Sequence, residues 1–186
     1  SFFNFLIQEE FLSANPVALV RQRSRFIQKA QNRPQVRRIS NYQWDEVIRV
    51  AEDLATKNPK QHERTVFILN CLLGMYLRIS ELVSDERSTP LMGDFRMDSD
   101  RHWWFHVVGK GNKSRIITVS NGMLEALQRY RHSLGLQALP YPGETTPLIP
   151  KIHGHGPVTS TRQIRNLVQM CFDGAYANLV ALGQAD

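Results

Sequence analysis

The chain has 186 residues, 42% of them hydrophobic, and a formal net charge of +6. This length allows one full domain and a flanking piece, and the hydrophobic content can support a buried core. The basic balance fits a polyanionic partner such as DNA, and no apolar run approaches the roughly 18 residues that a membrane-spanning helix needs. We expect a soluble, cytoplasmic protein.

The first 20 residues resemble the end of a longer element. Apolar side chains recur at helical spacing through residues 2–12, and Asn15-Pro16 ends the pattern. A basic leader region is absent, which argues against a signal peptide. We expect residues 1–20 to be the last part of an upstream domain, and the chain to be a fragment of a longer protein.

Residues 21–39 form a basic stretch that contains no acidic residue. Its cations are Arg21, Arg23, Arg25, Lys29, Arg33, Arg37 and Arg38. Such a segment suits contact with DNA phosphates, and Arg37 and Arg38 are candidate DNA-binding residues; the alternative is a solvated tether. We interpret it as an interdomain linker.

Residues 40–186 alternate between helical and strand patterns. The predicted helices begin near Ser40 and run to Asn58, then from about 63 to 73, around 78–82, from 121 to 134 and from 161 to about 172. The predicted strands are 92–95, 103–108 and 115–119, with a glycine-bearing hairpin turn before the last. These patterns predict an α+β domain that is mostly helical, with a small antiparallel sheet of two to three strands on one side.

Arg78 and Glu81 lie at a spacing that can place them on one helical face. The pair by itself is typical of a surface ion pair. Its apolar neighbours, which include Leu77, Ile79 and Leu82, predict that the arginine is largely desolvated. A desolvated guanidinium needs a partner, which would be Glu81 or a phosphate.

Lys110 lies between two glycines in the predicted hairpin turn, with Lys113 and Arg115 close behind it. Glycines on both sides allow the backbone to approach a ligand closely. A solvated turn is the alternative interpretation.

Four segments together resemble the tyrosine recombinase, or phage integrase, family. The run 77–82 resembles its first arginine box, and the run 108–115 its β-hairpin lysine motif. Residues 157–164, with Arg162, resemble the start of the helix before the second box, and residues 5–16 the last helix of the core-binding domain. The resemblance implies the family's DNA breaking-rejoining fold, with residues 40–186 as the N-terminal part of the catalytic domain.

The resemblance implies site-specific DNA recombination or integration through a 3′-phosphotyrosyl intermediate. It matches Arg78 to a phosphate-clamping arginine, Lys110 to the lysine that protonates the 5′-oxygen leaving group, and Glu81 to the acidic support. It adds Lys113, Arg115 and Arg162 as candidate DNA-binding residues. No cofactor is implied, because the covalent link retains the bond energy. Double-stranded DNA and a homotetramer on DNA are the implied partners, and a chain without the exchanged C-terminal segment is expected to be monomeric.

Three departures from the family pattern stand out. Tyr76 occupies a position where the family usually has glycine. Residues 84–98 are longer than in compact members, and we interpret them as an insertion. No histidine has an arginine three residues on, so we expect the His-x-x-Arg box and the nucleophilic tyrosine to lie outside this chain, and Tyr176 is not our candidate.

Alternative functions remain open at this stage. A non-catalytic DNA-binding relative would act as a regulator or decoy, and a protein-interaction module is a third possibility. His153 and His155 flank one glycine but lack a third metal ligand nearby. Trp103 and Trp104 suit base stacking, although strand alternation favours core packing for one or both.

Overall fold

The structure, a computed structural model, describes residues 8–10, 13, 39–86, 88–109 and 113–184. The chain divides into two compact units, Ser1–Arg38 and Ile39–Asp186. Arg37, Arg38 and nearly all of the predicted linker lie outside the described residues, as does Lys110.

The second unit combines α-helices with one small sheet. The described elements in chain order are α1 (Asn41–Lys57), α2 (Pro59–Gly74), β1 (Phe95–Met97), β2 (Trp103–Val108), β3 (Ser114–Thr118), α3 (Asn121–Ser133) and α4 (Thr161–Ala181), with 3₁₀ turns at Ile79–Glu81 and Met92–Asp94. The strands are antiparallel, in the order β1-β2-β3. The prediction of a mostly helical α+β domain with a three-stranded sheet is confirmed.

The boundary between α1 and α2 is sharper than the sequence pattern indicated. Ser40 caps α1, since its hydroxyl accepts the N–H of Gln43 at 3.2 Å while the Gln43 side chain accepts the N–H of Ser40 at 2.9 Å. Asn58 ends α1, and Pro59 begins α2 at once, four residues before the predicted start. Proline suits a first helical position because the N–H it lacks has no partner inside the helix there.

Helix α2 is the centre of the domain, as its apolar pattern predicted. Phe67 stacks on Tyr130 of α3 with ring centroids 4.5 Å apart, and Phe95 of β1 packs on Phe105 of β2 at 4.4 Å. One hydrophobic cluster joins α2, α3 and the sheet, and a second joins α1, α2 and α4.

Two predicted elements were wrong in extent. Residues Met92–Asp94 form a 3₁₀ turn, and the first strand begins only at Phe95. Helix α4 continues to Ala181, well past the predicted end near 172. Gly174 does not break this helix but lets it approach α1, because a Cβ there would lie 2.9 Å from Cγ1 of Val50.

Cys71 and Cys171 are both buried and free of disulfide bonds. Burial raises the pKa of both thiols, to about 11 for Cys171, so both stay protonated at neutral pH. Among the described helices, none is long and apolar enough to cross a membrane.

Candidate functional site

The position of Arg78 is set by an unusual end to α2. After Gly74, Tyr76 adopts a left-handed conformation with φ of 51°, and the N–H of Leu77 donates to the carbonyl of Cys71 at 3.3 Å. The chain then leaves the helix axis, and Arg78 is extended at φ −78° and ψ 149°. Position 76 is where the resembled family usually has glycine, and a left-handed backbone is what glycine adopts without steric cost.

Glu81 folds back beneath Arg78 across the 3₁₀ turn Ile79–Glu81. Its side chain is 3% exposed, and Oε2 accepts the backbone N–H of Arg78 at 2.8 Å. Nη1 of Arg78 lies 3.4 Å from Oε1 of Glu81. The predicted pairing of these two residues is therefore present, on a turn rather than on a helical face.

The predicted desolvation of Arg78 is wrong. Its side chain is 70% exposed, although Leu77 and Leu82 beside it are buried. The reason is that Arg78 occupies the extended position before the turn, so its side chain leaves the surface while its neighbours enter the core. An exposed guanidinium with one long contact retains donors for a ligand.

Arg115 of β3 is held far more tightly than Arg78. Its Nη1 and Nη2 donate to Oε1 and Oε2 of Glu81 at 2.6 and 2.7 Å, a bidentate pair. Strand alternation explains this contact: Arg115 pairs with buried Val107 of β2, so it lies on the inward face of β3 together with Ile117. Glu81 thus joins the end of α2 to the base of the β-hairpin.

The charges in this cluster stabilise one another. Burial alone would raise the pKa of Glu81, but hydrogen bonds from Arg115 and from the backbone of Arg78, with the charges of both arginines, bring the pKa below its ordinary value. The bond to Glu81 raises the pKa of Arg115. The cluster is therefore ionised at neutral pH, with two arginines against one carboxylate.

An open pocket of about 640 Å³ lies over this cluster. Its lining consists of Arg78, Ser80, Gly109, Lys113, Ser114 and Arg115. Gly109 closes the base of the hairpin by donating its N–H to the carbonyl of Lys113 at 2.8 Å. A Cβ at Gly109 would lie 3.3 Å from Oε1 of Glu81, so glycine lets the hairpin approach the carboxylate. Among the described residues, the lining carries no acidic side chain, which suits a phosphate ligand.

The other predicted site residues lie elsewhere. Arg162 is exposed near the start of α4 and is not part of the pocket lining. Trp103 packs against the core, and the indole of Trp104 donates to Asp98 at 2.7 Å. Within residues 39–86, 88–109 and 113–184, no group of three or more His, Cys, Asp or Glu side chains is placed to hold a metal ion.

Sequence reasoning missed the part that Arg115 plays inside the cluster. It treated Arg115 as one of several cations near the hairpin tip. The signal was present in the strand, because Arg115 and Ile117 are two residues apart and must share a face. An arginine on the inward face requires an acidic partner, and Glu81 is that partner in addition to contacting Arg78.

Comparison with known proteins bears on what this cluster belongs to. No family model matches the chain. The curated tyrosine recombinase XerC of Chlorobaculum parvum is 28% identical over 137 residues, which is 70% of this chain and 38% of that protein. The XerC of Pediococcus pentosaceus is 29% identical over 132 residues, with the same coverage of both chains. The chain is homologous to these two XerC recombinases. It spans under two fifths of their length.

Solved structures of another recombinase are also similar. The chain matches XerH site-specific recombinase bound to difH substrate, in a pre-cleavage complex, with a TM-score of 0.46 and 13% identity over 80% of this chain and 44% of that one. The post-cleavage complex of XerH with a palindromic difH substrate gives 0.45 and 14% over 80% and 42%.

Proposed function

We propose that this chain is the N-terminal part of the catalytic domain of a tyrosine-type site-specific recombinase, and that it binds double-stranded DNA. The observation that carries the proposal is the exposed Arg78 beside a buried Glu81, on a cationic pocket, in a chain homologous to such enzymes. Residues 1–20 and 21–39 would belong to the core-binding domain and the linker. The intact protein would act as a tetramer on paired sites.

Arg78 would bind a non-bridging oxygen of the scissile phosphate. Its guanidinium is 70% exposed and makes only one contact with Glu81, at 3.4 Å. Charge-assisted hydrogen bonds to a phosphate that gains negative charge in the transition state would lower the barrier to cleavage. Glu81 would hold Arg78 in place through the backbone N–H, which leaves most of the guanidinium donors available.

Cleavage in this scheme replaces one phosphate ester bond with another. A tyrosine oxygen forms a bond to the 3′-phosphate, and the bond to the 5′-oxygen breaks. Lys110 would give its proton to that leaving oxygen, as the resemblance implies, and it lies outside the described residues. Its sequence neighbours Gly109 and Lys113 both line the pocket that Arg78 borders. No cofactor is needed, because the covalent link retains the bond energy.

Arg115 would position the site rather than bind DNA directly. Both of its Nη groups already donate to Glu81, and its side chain is 38% exposed against 70% for Arg78. Lys113, which is exposed at the pocket edge, is the better candidate for a second DNA-phosphate contact. Arg162, Arg37 and Arg38 would contact the DNA backbone outside the pocket.

The deciding experiment uses the full-length parent protein and a nicked suicide DNA substrate that traps the covalent complex. Arg78→Ala is expected to reduce covalent complex at least about 100-fold, as removal of one transition-state donor does. DNA binding in a gel-shift assay is expected to change by less than about threefold, because many other phosphate contacts remain.

Lys57→Ala is the matched control, because Lys57 is an exposed cation at the end of α1 outside the pocket. Its covalent complex is expected to stay at the wild-type level. If Arg78→Ala lost binding and cleavage to the same extent, Arg78 would be a simple phosphate contact. If the wild-type parent formed no covalent complex, the proposal of a recombinase would be wrong.

A further inference from the structure

A second basic pocket lies at the opposite end of α2 from Arg78. It is lined by Lys60 and Arg64 of α2, by the end of α3 around Ser133, and by the segment that carries Lys151. The 16 residues of α2 span about 24 Å, so this pocket is separate from the Glu81 cluster.

Arg64 is buried in this pocket, and two of its guanidinium nitrogens have no hydrogen-bond partner among the described residues. The residue is 6% exposed, and its Nε and Nη1 have neither solvent contact nor a hydrogen-bond acceptor in the described part of the chain. A buried guanidinium that lacks an acceptor lowers the stability of the fold by on the order of several kcal/mol. Such groups are therefore paired in most proteins. Burial lowers the pKa of Arg64, and the nearby Tyr130 opposes that shift only in part.

Two neighbouring acceptors already have other donors. Glu63, next in the chain, binds Arg129 through both carboxylate oxygens, at 2.8 and 3.1 Å. At the end of α3, the carbonyl of Tyr130 accepts the hydroxyl of Ser133 at 2.7 Å. None of the described residues that line the pocket is acidic. Two nitrogens of Arg64 thus have no acceptor among the described residues, and a bound anion would supply one.

We propose that this pocket binds a phosphate group, with Arg64 as the buried ligand and Lys60 and Lys151 at the mouth. The pocket volume is about 250 Å³, which is several times the roughly 30 Å³ that one water occupies, so a phosphate with some hydration fits. The N-terminal end of α2 borders the pocket and adds a favourable dipole for an anion. A guanidinium matches two phosphate oxygens at once, and two lysines supply further positive charge.

This site goes beyond the proposed recombinase function and does not depend on it. The phosphate group has two possible sources, a free phosphate or a phosphodiester of DNA. Both present the same oxygens to Arg64, and they differ in size and in the chain that follows. Separate titrations with inorganic phosphate and with a short DNA duplex lacking terminal phosphates distinguish them.

The experiment is a ¹⁵N–¹H NMR titration of the 186-residue chain at constant ionic strength. Phosphate is expected to shift the backbone amides of Lys60, Arg64 and Lys151 saturably, and Arg64→Gln is expected to weaken that affinity by about tenfold or more, as loss of a charged donor does. Arg165→Gln is the control, because Arg165 is exposed on α4 outside both pockets, and it should leave the affinity unchanged.

If Arg64→Gln fails to fold, the double variant Lys60→Gln/Lys151→Gln decides, since both lysines are exposed and lie at the pocket mouth. It is expected to lose affinity by about tenfold as well. Saturable shifts with either phosphate or duplex support the site and name its source. Shifts around Gly109 and Lys113 alone, an affinity that Arg64→Gln leaves unchanged, or no shift in either titration would overturn it.

Discussion

Two arginine–glutamate pairs in the domain make similar contacts but have different roles. Arg115 binds Glu81 through two hydrogen bonds and is 38% exposed, whereas Arg131 and Glu144 are both 2% exposed and 2.9 Å apart. Arg131 also donates to the carbonyls of Gln137 and Leu139, at 2.8 and 3.3 Å. Its donors are directed inward and fix the loop after α3.

The two pairs differ in the net charge of the groups around them. At Arg131 one carboxylate balances one guanidinium, and burial leaves no room for a ligand. By contrast, the single carboxylate of Glu81 contacts both Arg115 and Arg78, and Lys113 borders the pocket above them. An excess of cations on an open surface predicts anion binding, while a balanced pair in the core predicts a role in stability.

The largest expected effect tests this contrast by removing one arginine from each pair. Arg131→Met should lower the free energy of unfolding by about 3–5 kcal/mol, because it leaves Glu144 buried without its partner. Arg115→Met should lower it by about 1–2 kcal/mol, since that pair is partly screened by water and Arg78 still reaches Glu81. Urea unfolding followed by circular dichroism measures both.

The double variant Arg131→Met/Glu144→Gln serves as the control for this test. It removes the stranded charge and should recover part of the loss seen with Arg131→Met alone. Equal losses for Arg131→Met and Arg115→Met would contradict the division into a core pair and a site pair.

A smaller effect on the free energy of unfolding is expected from a change in pH. At both Glu81 and Glu144, burial raises the pKa, but arginine hydrogen bonds outweigh it and hold the pKa below the ordinary 4.5. Each carboxylate therefore contributes stability that is fully present above that ordinary value and is lost as the pH falls through the lowered folded pKa. Unfolding measured from about pH 5 to about pH 3 should show this loss, and Glu144→Gln and Glu81→Gln should each flatten the slope.

Glu144→Gln should flatten that slope more than Glu81→Gln, because its arginine is also fully buried and less water screens the pair. Asp53→Asn is the control, since Asp53 is an exposed carboxylate with a weak 4.0 Å contact to Arg49. A slope that neither buried variant changes would show that these carboxylates do not govern acid unfolding.

The sequence predicted the elements of the site better than their arrangement. The Arg78–Glu81 spacing and the hairpin around Gly109 follow from local patterns, and the structure contains both. The exposure of Arg78 could not be predicted, because it depends on the extended backbone of Arg78 before the 3₁₀ turn, which follows a left-handed Tyr76. The full length of α4 could not be predicted either, because only packing against Val50 shows why Gly174 lies inside a helix.

The smallest predicted effect concerns the backbone beside each pair. A left-handed residue precedes both, Tyr76 with φ of 51° before Arg78 and Gly143 with φ of 82° before Glu144. Tyr76→Gly should therefore raise the free energy of unfolding by about 0.5–1 kcal/mol, because relief of left-handed strain exceeds the entropy cost of glycine. The tyrosine side chain is 79% exposed, so its removal uncovers little core.

Gly143→Ala is the matched reverse change, and it should lower the free energy of unfolding by about 1 kcal/mol. A Cβ at Gly143 would meet nothing within 4 Å, so the cost would come from the backbone alone. Urea unfolding of both variants measures the two effects with opposite signs. If Tyr76→Gly were neutral or destabilising, Tyr76 would make contacts that hold Arg78 in place, and the Glu81 pair would depend on that side chain as well as on charge.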